Sequence, residues 1–265
     1  LFLGSGMLVS VQAASSAILI ATLIPVHGPG GLQRVWHAII GTVIGIAIMA
    51  LIPANPVRDI RRRLASIVQI EREILGDIAS GLRTRNPELV TKALVRIRST
   101  QPALNDIRDT LYNGAEVVRV SPLLWYARKD LKKWEKLLDP LDNAIRNTRV
   151  LARRAVVILD DDVPLDVRIP DSISLMSEAT GVVHSMLSES DNRHATEQEA
   201  ARAIISVAVR TTFQLDPNDR SGMHGPVIHA QIRSTLIDLL QVCGMSREEA
   251  VNSVPAIGSP GCHPA

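Results

Sequence analysis

The first 57 residues are almost wholly apolar, and from Arg58 onward apolar positions recur every three or four residues among charged ones. Between Val35 and Val57 there is no Asp, Glu, Lys or Arg, and a helix needs roughly 20 mostly apolar residues to cross a bilayer of about 30 Å. The run ends in Arg58, Arg61, Arg62 and Arg63 against a single acid, Asp59. Short basic flanks are retained on the cytoplasmic side during insertion. The pattern predicts a last transmembrane helix that delivers the chain into the cytoplasm at this cluster. An earlier apolar run, 1–24, closes at Pro25 and the sequence HGPGG, where Gly and Pro break a helix and allow a tight reversal. Residues 1–56 are therefore predicted as a transmembrane helical hairpin.

Small residues crowd the first run, from Gly4, Ser5 and Gly6 to Ala13, Ala14, Ser15, Ser16 and Ala17, and Gly41 and Gly45 form a GxxxG spacing in the second. In lipid, helices associate through small faces and hydroxyl hydrogen bonds, so the pair is expected to close a larger membrane bundle. The chain shows no initiating Met, no basic n-region and no small-residue cleavage signature. These features disfavour a signal peptide over 1–26 and predict further spans upstream.

Beyond Arg58 the pattern is that of amphipathic helices. Ile60, Leu64, Ile67, Val68, Ile74, Leu75, Ile78 and Leu82 make one stripe over about 57–84. Asn86 and Pro87 have the chemistry of an N-cap and first helical position. Leu89, Ala93, Leu94, Ile97, Leu104, Ile107 and Leu111 follow, with Pro102 as an expected kink. A third segment opens at Ser121-Pro122 and runs through Trp134, Leu138, Ile145 and Leu151, with Pro140 expected to bend it without ending it. Asp160-Asp161-Asp162 and Pro164 mark a boundary, after which helices are predicted near 171–189, 195–215, 224–243 and 246–252. The organisation predicted is thus 57–163 as a long-helix bundle, 164–252 as a C-terminal helical region and 253–265 as a flexible tail. With no alternating strand pattern and no fixed repeat, the fold class is all-α. The prolines at 87, 102, 122 and 140 favour an antiparallel bundle over one extended rod.

Charge sharpens this division. Residues 1–56 carry one formal charge, Arg34, so 28 of the 29 basic and all 27 acidic residues lie in 57–265, a net charge there of +1. That balance, with aromatics at 3%, gives no basis for nucleic-acid binding. Cys243 and Cys262 have no ligand-type or disulfide-framework spacing. His224 and His229 are five apart and share no helix face as zinc ligands would, so no metal and no cofactor is predicted. P-loop, GxGxxG and GxSxG signatures are missing, and no nucleophile, base and orienter converge; an enzyme is not expected.

The candidate functional residues lie in the hairpin. Arg34 and His37, one turn apart at the mouth of the second helix, suit recognition of an anionic solute, because ionisable groups near lipid are costly; they equally suit an interfacial anchor. Gln12, Ser15, Ser16 and Thr42 are candidates for a polar path or for interhelical hydrogen bonds. Gly41 and Gly45 are assigned to helix packing. Arg58, Arg61, Arg62 and Arg63 are assigned to the membrane interface and anionic lipid headgroups. The amphipathic helices also admit a membrane-anchored scaffold or oligomerisation protein without transport activity.

The segment RVWHAIIGTVIGIAIMALIPANPVRDIRR resembles the last membrane helix of the fusaric acid resistance and aromatic acid exporter-like (FUSC-type) proteins, through Arg34, Gly41-Thr42, Gly45, Pro53 and Pro56. The stretch SPLLWYARKDLKKWEKLLDPLDNAIRNTRVLARRA, residues 121–155, is similar to the cytoplasmic helical region of actinobacterial members. The resemblance implies about six membrane helices followed by a cytoplasmic helical domain, in the bacterial inner membrane. It also implies efflux of aromatic carboxylic acids or related small anions. The partners expected are the lipid bilayer, such a solute and further copies of the chain in a homo-oligomer.

Overall fold

A computed structural model describes residues 14, 15, 18, 31–51, 56–120, 125–166, 168–188, 193–211 and 223–255. Every element among them is an α-helix: α1 (Gly31–Leu51), α2 (Pro56–Arg83), α3 (Pro87–Arg98), α4 (Gln101–Val120), α5 (Trp125–Asp160), α6 (Arg168–Ser188), α7 (Arg193–Arg210), α8 (His224–Val242) and α9 (Arg247–Ser253). The all-α class expected from the sequence is therefore observed. The chain divides into two compact units, Leu1–Ala54 and Asn55–Ala265, two residues from the predicted junction.

In the first unit α1 is 21 residues long, about 31 Å at 1.5 Å per residue. Among the described residues no helix is long and apolar enough to cross a membrane. Of the first predicted span, 1–24, only 14, 15 and 18 are described, as helix, whereas the second is described as helix over 31–51, with side chains described from 35 to 45. All of these α1 side chains are exposed, with Trp36 at 62% and Val43 at 59%.

In the second unit the stripe on α2 is buried at every predicted position, from Ile60 to Leu82. Helix α2 ends where Asn86 takes an extended conformation and its side chain accepts from the Leu89 N–H at 3.1 Å, with Pro87 opening α3. Gly81 is required by this reversal, since a Cβ there would stand 2.4 Å from Val90 Cγ2 and 3.2 Å from the Asn86 carbonyl. Pro102 does not kink a continuous helix. Helix α3 stops at Arg98, a turn follows, and Pro102 sits in the first turn of α4, where its missing N–H costs nothing. Pro140 lies inside the 36-residue α5, which continues through it as predicted.

Helices α2 and α6 run antiparallel. Ala65 O lies 3.0 Å from His184 Nδ1, Ser177 Oγ donates to Arg72 O at 2.8 Å, and Arg83 donates to Asp171 at 2.8 Å. The same order reversal relates α2 to α3, through the Arg96–Glu73 pair and the Gly81–Val90 approach. It also relates α4 to α5, through Arg108–Asp139 and Arg149–Gln101. The antiparallel arrangement predicted for this region is thus built from named contacts. Because α6 packs on α2, the acidic run at 160–162 is a turn inside one compact unit that joins 57–163 to 164–252. Asp162 there has φ +50 and pairs with Arg85, itself at φ +51, so two left-handed turns are tied to each other.

Three residues at the start of the expected tail are described, and they pack on the second unit. Ser253 still belongs to α9, Val254 is buried, and the Pro255 carbonyl accepts from Arg233 Nε at 3.0 Å. Residues 256–265, Cys262 among them, lie outside the described residues.

Candidate functional site

The residues proposed for the hairpin are only partly described. Gln12 and Ser16 lie outside the described residues, as do the side chains of Arg34 and Arg58, while Ser15 and His37 are exposed helical positions. The Thr42 hydroxyl donates to Ala38 O at 2.7 Å, one turn back on the same helix. At Gly41 and Gly45 a Cβ would meet nothing within 4 Å, so their small face has no packing partner among the described residues. Of the arginine cluster, Arg61 is half-buried, Arg62 is exposed, and Arg63 pairs with Asp59 at 2.8 Å. That pair is an exposed i, i+4 contact and contributes little to stability.

The structure places its most unusual chemistry elsewhere, in the core of the second unit. Glu71 interrupts the apolar stripe of α2 and is completely buried. Its Oε1 accepts from the Thr148 hydroxyl at 2.8 Å, and its Oε2 has no hydrogen-bond partner among the described residues. The neighbouring residue on α5, Asn147, donates from Nδ2 to Asp238 Oδ2 on α8 at 2.8 Å. Gln241 approaches the other Asp238 oxygen at 3.4 Å. Two consecutive polar residues of α5 therefore hold two acids that arrive from opposite neighbours, α2 and α8.

The electrostatics follow from burial. Taking a carboxylate out of water disfavours its charged form. Burial pushes the Glu71 carboxyl up to about 7, against the opposing effect of the Thr148 hydrogen bond and with a further push from Asp238. Burial likewise raises Asp238 to about 6, opposed by the Asn147 hydrogen bond and the charge of Arg247. This arrangement can take up or release a proton near neutral pH. Among the described residues no group of three or more His, Cys, Asp or Glu side chains is placed to hold a metal ion.

Asp238 also forms part of the wall of a cavity of about 330 Å³ between α5, α8 and α9, lined by Asn143, Arg146, Asn147, Arg233, Ser234 and Arg247. A wider cleft of about 870 Å³ is bounded by Lys133, Glu197, Cys243, Met245 and Glu249. Across it Lys133 pairs with Glu197 at 2.6 Å.

A protein of Corynebacterium glutamicum described as uncharacterized is 36% identical to this chain over 270 residues, an alignment that covers 99% of this chain and 68% of that protein. The chain belongs to that protein's family. No protein-family profile matches the chain, and no solved structure matches it. The likeness to the family member runs through both compact units.

Sequence reasoning did not single out Glu71, Thr148, Asn147 or Asp238. A signal was present for the two acids. Glu71 occupies the position in the stripe between Val68 and Leu75 where an apolar residue belongs, and Asp238 is the one acid in the buried run Leu236–Leu240. An acid in the apolar phase of a helix costs free energy unless it is neutralised or hydrogen-bonded.

Proposed function

We propose that this chain is the C-terminal part of an integral membrane transport protein of the exporter-like type. In this reading two spans close a membrane bundle, and the helical unit from Asn55 onward forms a cytoplasmic regulatory or assembly domain. The observation that carries it is α1. Val35, Trp36, Ile39, Ile40, Val43 and Ile44 share one broad face of the helix at i, i+4, i+8 spacing and all are exposed, while the other face carries His37, Ala38, Gly41, Thr42 and Gly45 and no Asp, Glu, Lys or Arg. A surface helix in water buries such a face and sets charged residues opposite it, whereas a helix in a membrane bundle turns large apolar residues to lipid and packs through a face of small residues.

The uncharged sequence from Val35 to Val57 and the arginines that follow it support the same orientation, with the second unit on the cytoplasmic side. The solute is a small aromatic or related carboxylate, with Arg34 and His37 at the mouth of α1 as its first contacts, and the assembly is a homo-oligomer.

The test is to express the full-length parent protein in bacterial cells, confirm that it stays in the membrane pellet after alkaline extraction, and measure accumulation of a panel of aromatic carboxylic acids. Reduced accumulation of at least one acid is expected. Retention in the membrane with unchanged accumulation across the panel would reject export and favour an anchored scaffold. Release by alkaline extraction would reject the membrane assignment itself.

A further inference from the structure

We propose that the cavity between α5, α8 and α9 binds a small organic anion, held by Arg146, Arg233 and Arg247 and oriented by a hydrogen-bond donor that the anion offers to Asp238. The inference concerns the second unit alone and stands whether or not the chain transports anything.

Three helices each turn one face to this space. Helix α5 supplies Asn143, Arg146 and Asn147, α8 supplies Arg233, Ser234, Ile237 and Asp238, and α9 supplies Arg247 and Val251. The volume of about 330 Å³ falls at the lower end of the range for small-molecule sites. Polar groups dominate the walls, with Ile237 and Val251 as the apolar residues.

The fold gives two of the three arginines work and leaves the third spare. Arg146 pairs with Asp142 at 2.9 Å. Arg233 donates to the carbonyls of Val251, Val254 and Pro255, which satisfies the end of α9, but it has no carboxylate within ion-pair distance among the described residues. Arg247 forms neither an ion pair nor a hydrogen bond among them, and its interaction with the protein is the longer-range attraction to Asp238. It also occupies the first position of α9, where a cation faces the positive end of the helix. Three guanidinium groups around one cavity repel each other, and holding them there is unfavourable unless an anion joins them.

Charge bookkeeping sets the ligand class. Asp142, shared with Arg108, answers Arg146 in part and Asp238 answers Arg247 in part, so more than one positive charge remains, most of it on Arg233 and Arg247. The planar guanidinium fork matches a carboxylate or a phosphate. Asp238, on the same wall, repels a bare anion but accepts from an O–H or N–H. The structure thus selects an anion that carries such a donor beside its charged group, a hydroxy acid or a phosphate monoester of a small polyol. A carboxylate or phosphate without a donor fits poorly.

The test is calorimetric titration of the purified full chain in detergent at fixed ionic strength. Two probes carry donors, gluconate as the carboxylate and glycerol 3-phosphate as the phosphate ester, and acetate and sulfate serve as donor-free controls. Saturable binding of one donor-bearing probe is expected, tighter than its control, and the arm that binds identifies the charged group. Arg247→Ala removes an exposed side chain, so the fold survives; loss of its charge-assisted hydrogen bonds should weaken binding on the order of tenfold. Asp238→Asn should narrow the gap between probe and control. Absence of saturable heat at millimolar probe overturns the proposal. So does binding that Arg247→Ala and Arg146→Ala both leave unchanged.

Discussion

Thr148 and Glu71 meet at 2.8 Å with both side chains completely buried, the hydroxyl of α5 donating to one carboxyl oxygen of α2. The other oxygen has no hydrogen-bond partner among the described residues. A single hydrogen bond does not compensate a carboxylate for full loss of water, so the proton stays on Glu71 to unusually high pH. One residue earlier on the same helix, Asn147 does the equivalent for Asp238.

The first prediction is a stability that falls as pH rises. Glu71 ionises near its ordinary 4.5 when unfolded and at about 7 when folded, so the folded state binds the proton more tightly between those values. Its contribution is complete below 4.5 and is lost as pH rises through about 7. Asp238 acts in the same direction between 3.8 and about 6. For Glu71 alone the change from pH 5 to pH 8 is about 2 kcal/mol. Denaturant unfolding of the full chain at those two pH values measures it. Glu71→Gln should flatten the profile by raising stability at pH 8 with little change at pH 5. An unaltered slope in the variant would show that the proton binds elsewhere.

Two glycines of α2 should respond to alanine with opposite signs. In a helix interior Gly→Ala is ordinarily favourable by about 1 kcal/mol. At Gly76 the nearest neighbour of a new Cβ is Ser177 Oγ at 3.8 Å, ordinary contact, so Gly76→Ala should raise the unfolding midpoint. At Gly81 the new Cβ would stand 2.4 Å from Val90 Cγ2 and 3.2 Å from backbone. Overpacking of that kind costs about 1–3 kcal/mol, and Gly81→Ala should lower the midpoint. Thermal unfolding followed by helical circular dichroism compares the pair directly.

Much of the second unit was legible in its sequence because its determinants are local. The three- and four-residue spacing of Ile60 to Leu82 needs only a helix to make a stripe, and Asn86-Pro87 carries its cap chemistry within three residues. The short helix at the C-terminus was likewise readable, since Ser246 and Glu249 form a capping box after Gly244 at φ +89. What escaped was decided by distant partners. Thr148 reaches Glu71 across 77 positions and Asn147 reaches Asp238 across 91. Nor does the acidic run at 160–162 reveal that Asp162 will find Arg85. The acids at 71 and 238 interrupt apolar phases and could have been flagged on that ground, but which polar groups meet them is a property of packing. Pro102 misled because a proline in a first turn and a proline in a kink have the same local sequence.

The Arg85–Asp162 pair should prove nearly dispensable. Both side chains are exposed, and exposed ion pairs contribute about 0–1 kcal/mol. Asp162→Asn removes the charge while keeping a residue that tolerates positive φ, so the expected change in unfolding free energy is below about 0.5 kcal/mol. Asn86→Ala is the useful contrast, since it deletes the side chain that caps α3 and should cost about 1 kcal/mol. Denaturant titration of the two variants side by side checks both values. A larger loss from Asp162→Asn than from Asn86→Ala would mean that the turn at 160–162 holds α5 and α6 in place through charge.

Cys243 should be chemically silent in the folded protein. It is buried at the end of α8, and burial, with the neighbouring charge of Glu197, pushes its thiol up to about 12. The thiolate is the reactive form, and against an ordinary thiol near 8.5 such a rise lowers the thiolate fraction at neutral pH on the order of a thousandfold. In a Cys262→Ser chain, where Cys243 is the remaining cysteine, alkylation by iodoacetamide at pH 8 should be slow when native and rapid in denaturant, as mass spectrometry would register. Slow labelling follows from both causes, since the thiol is buried beside the 870 Å³ cleft and burial disfavours its charged form. Native labelling at the denatured rate would mean that α8 and α9 separate often enough to expose the thiol to water.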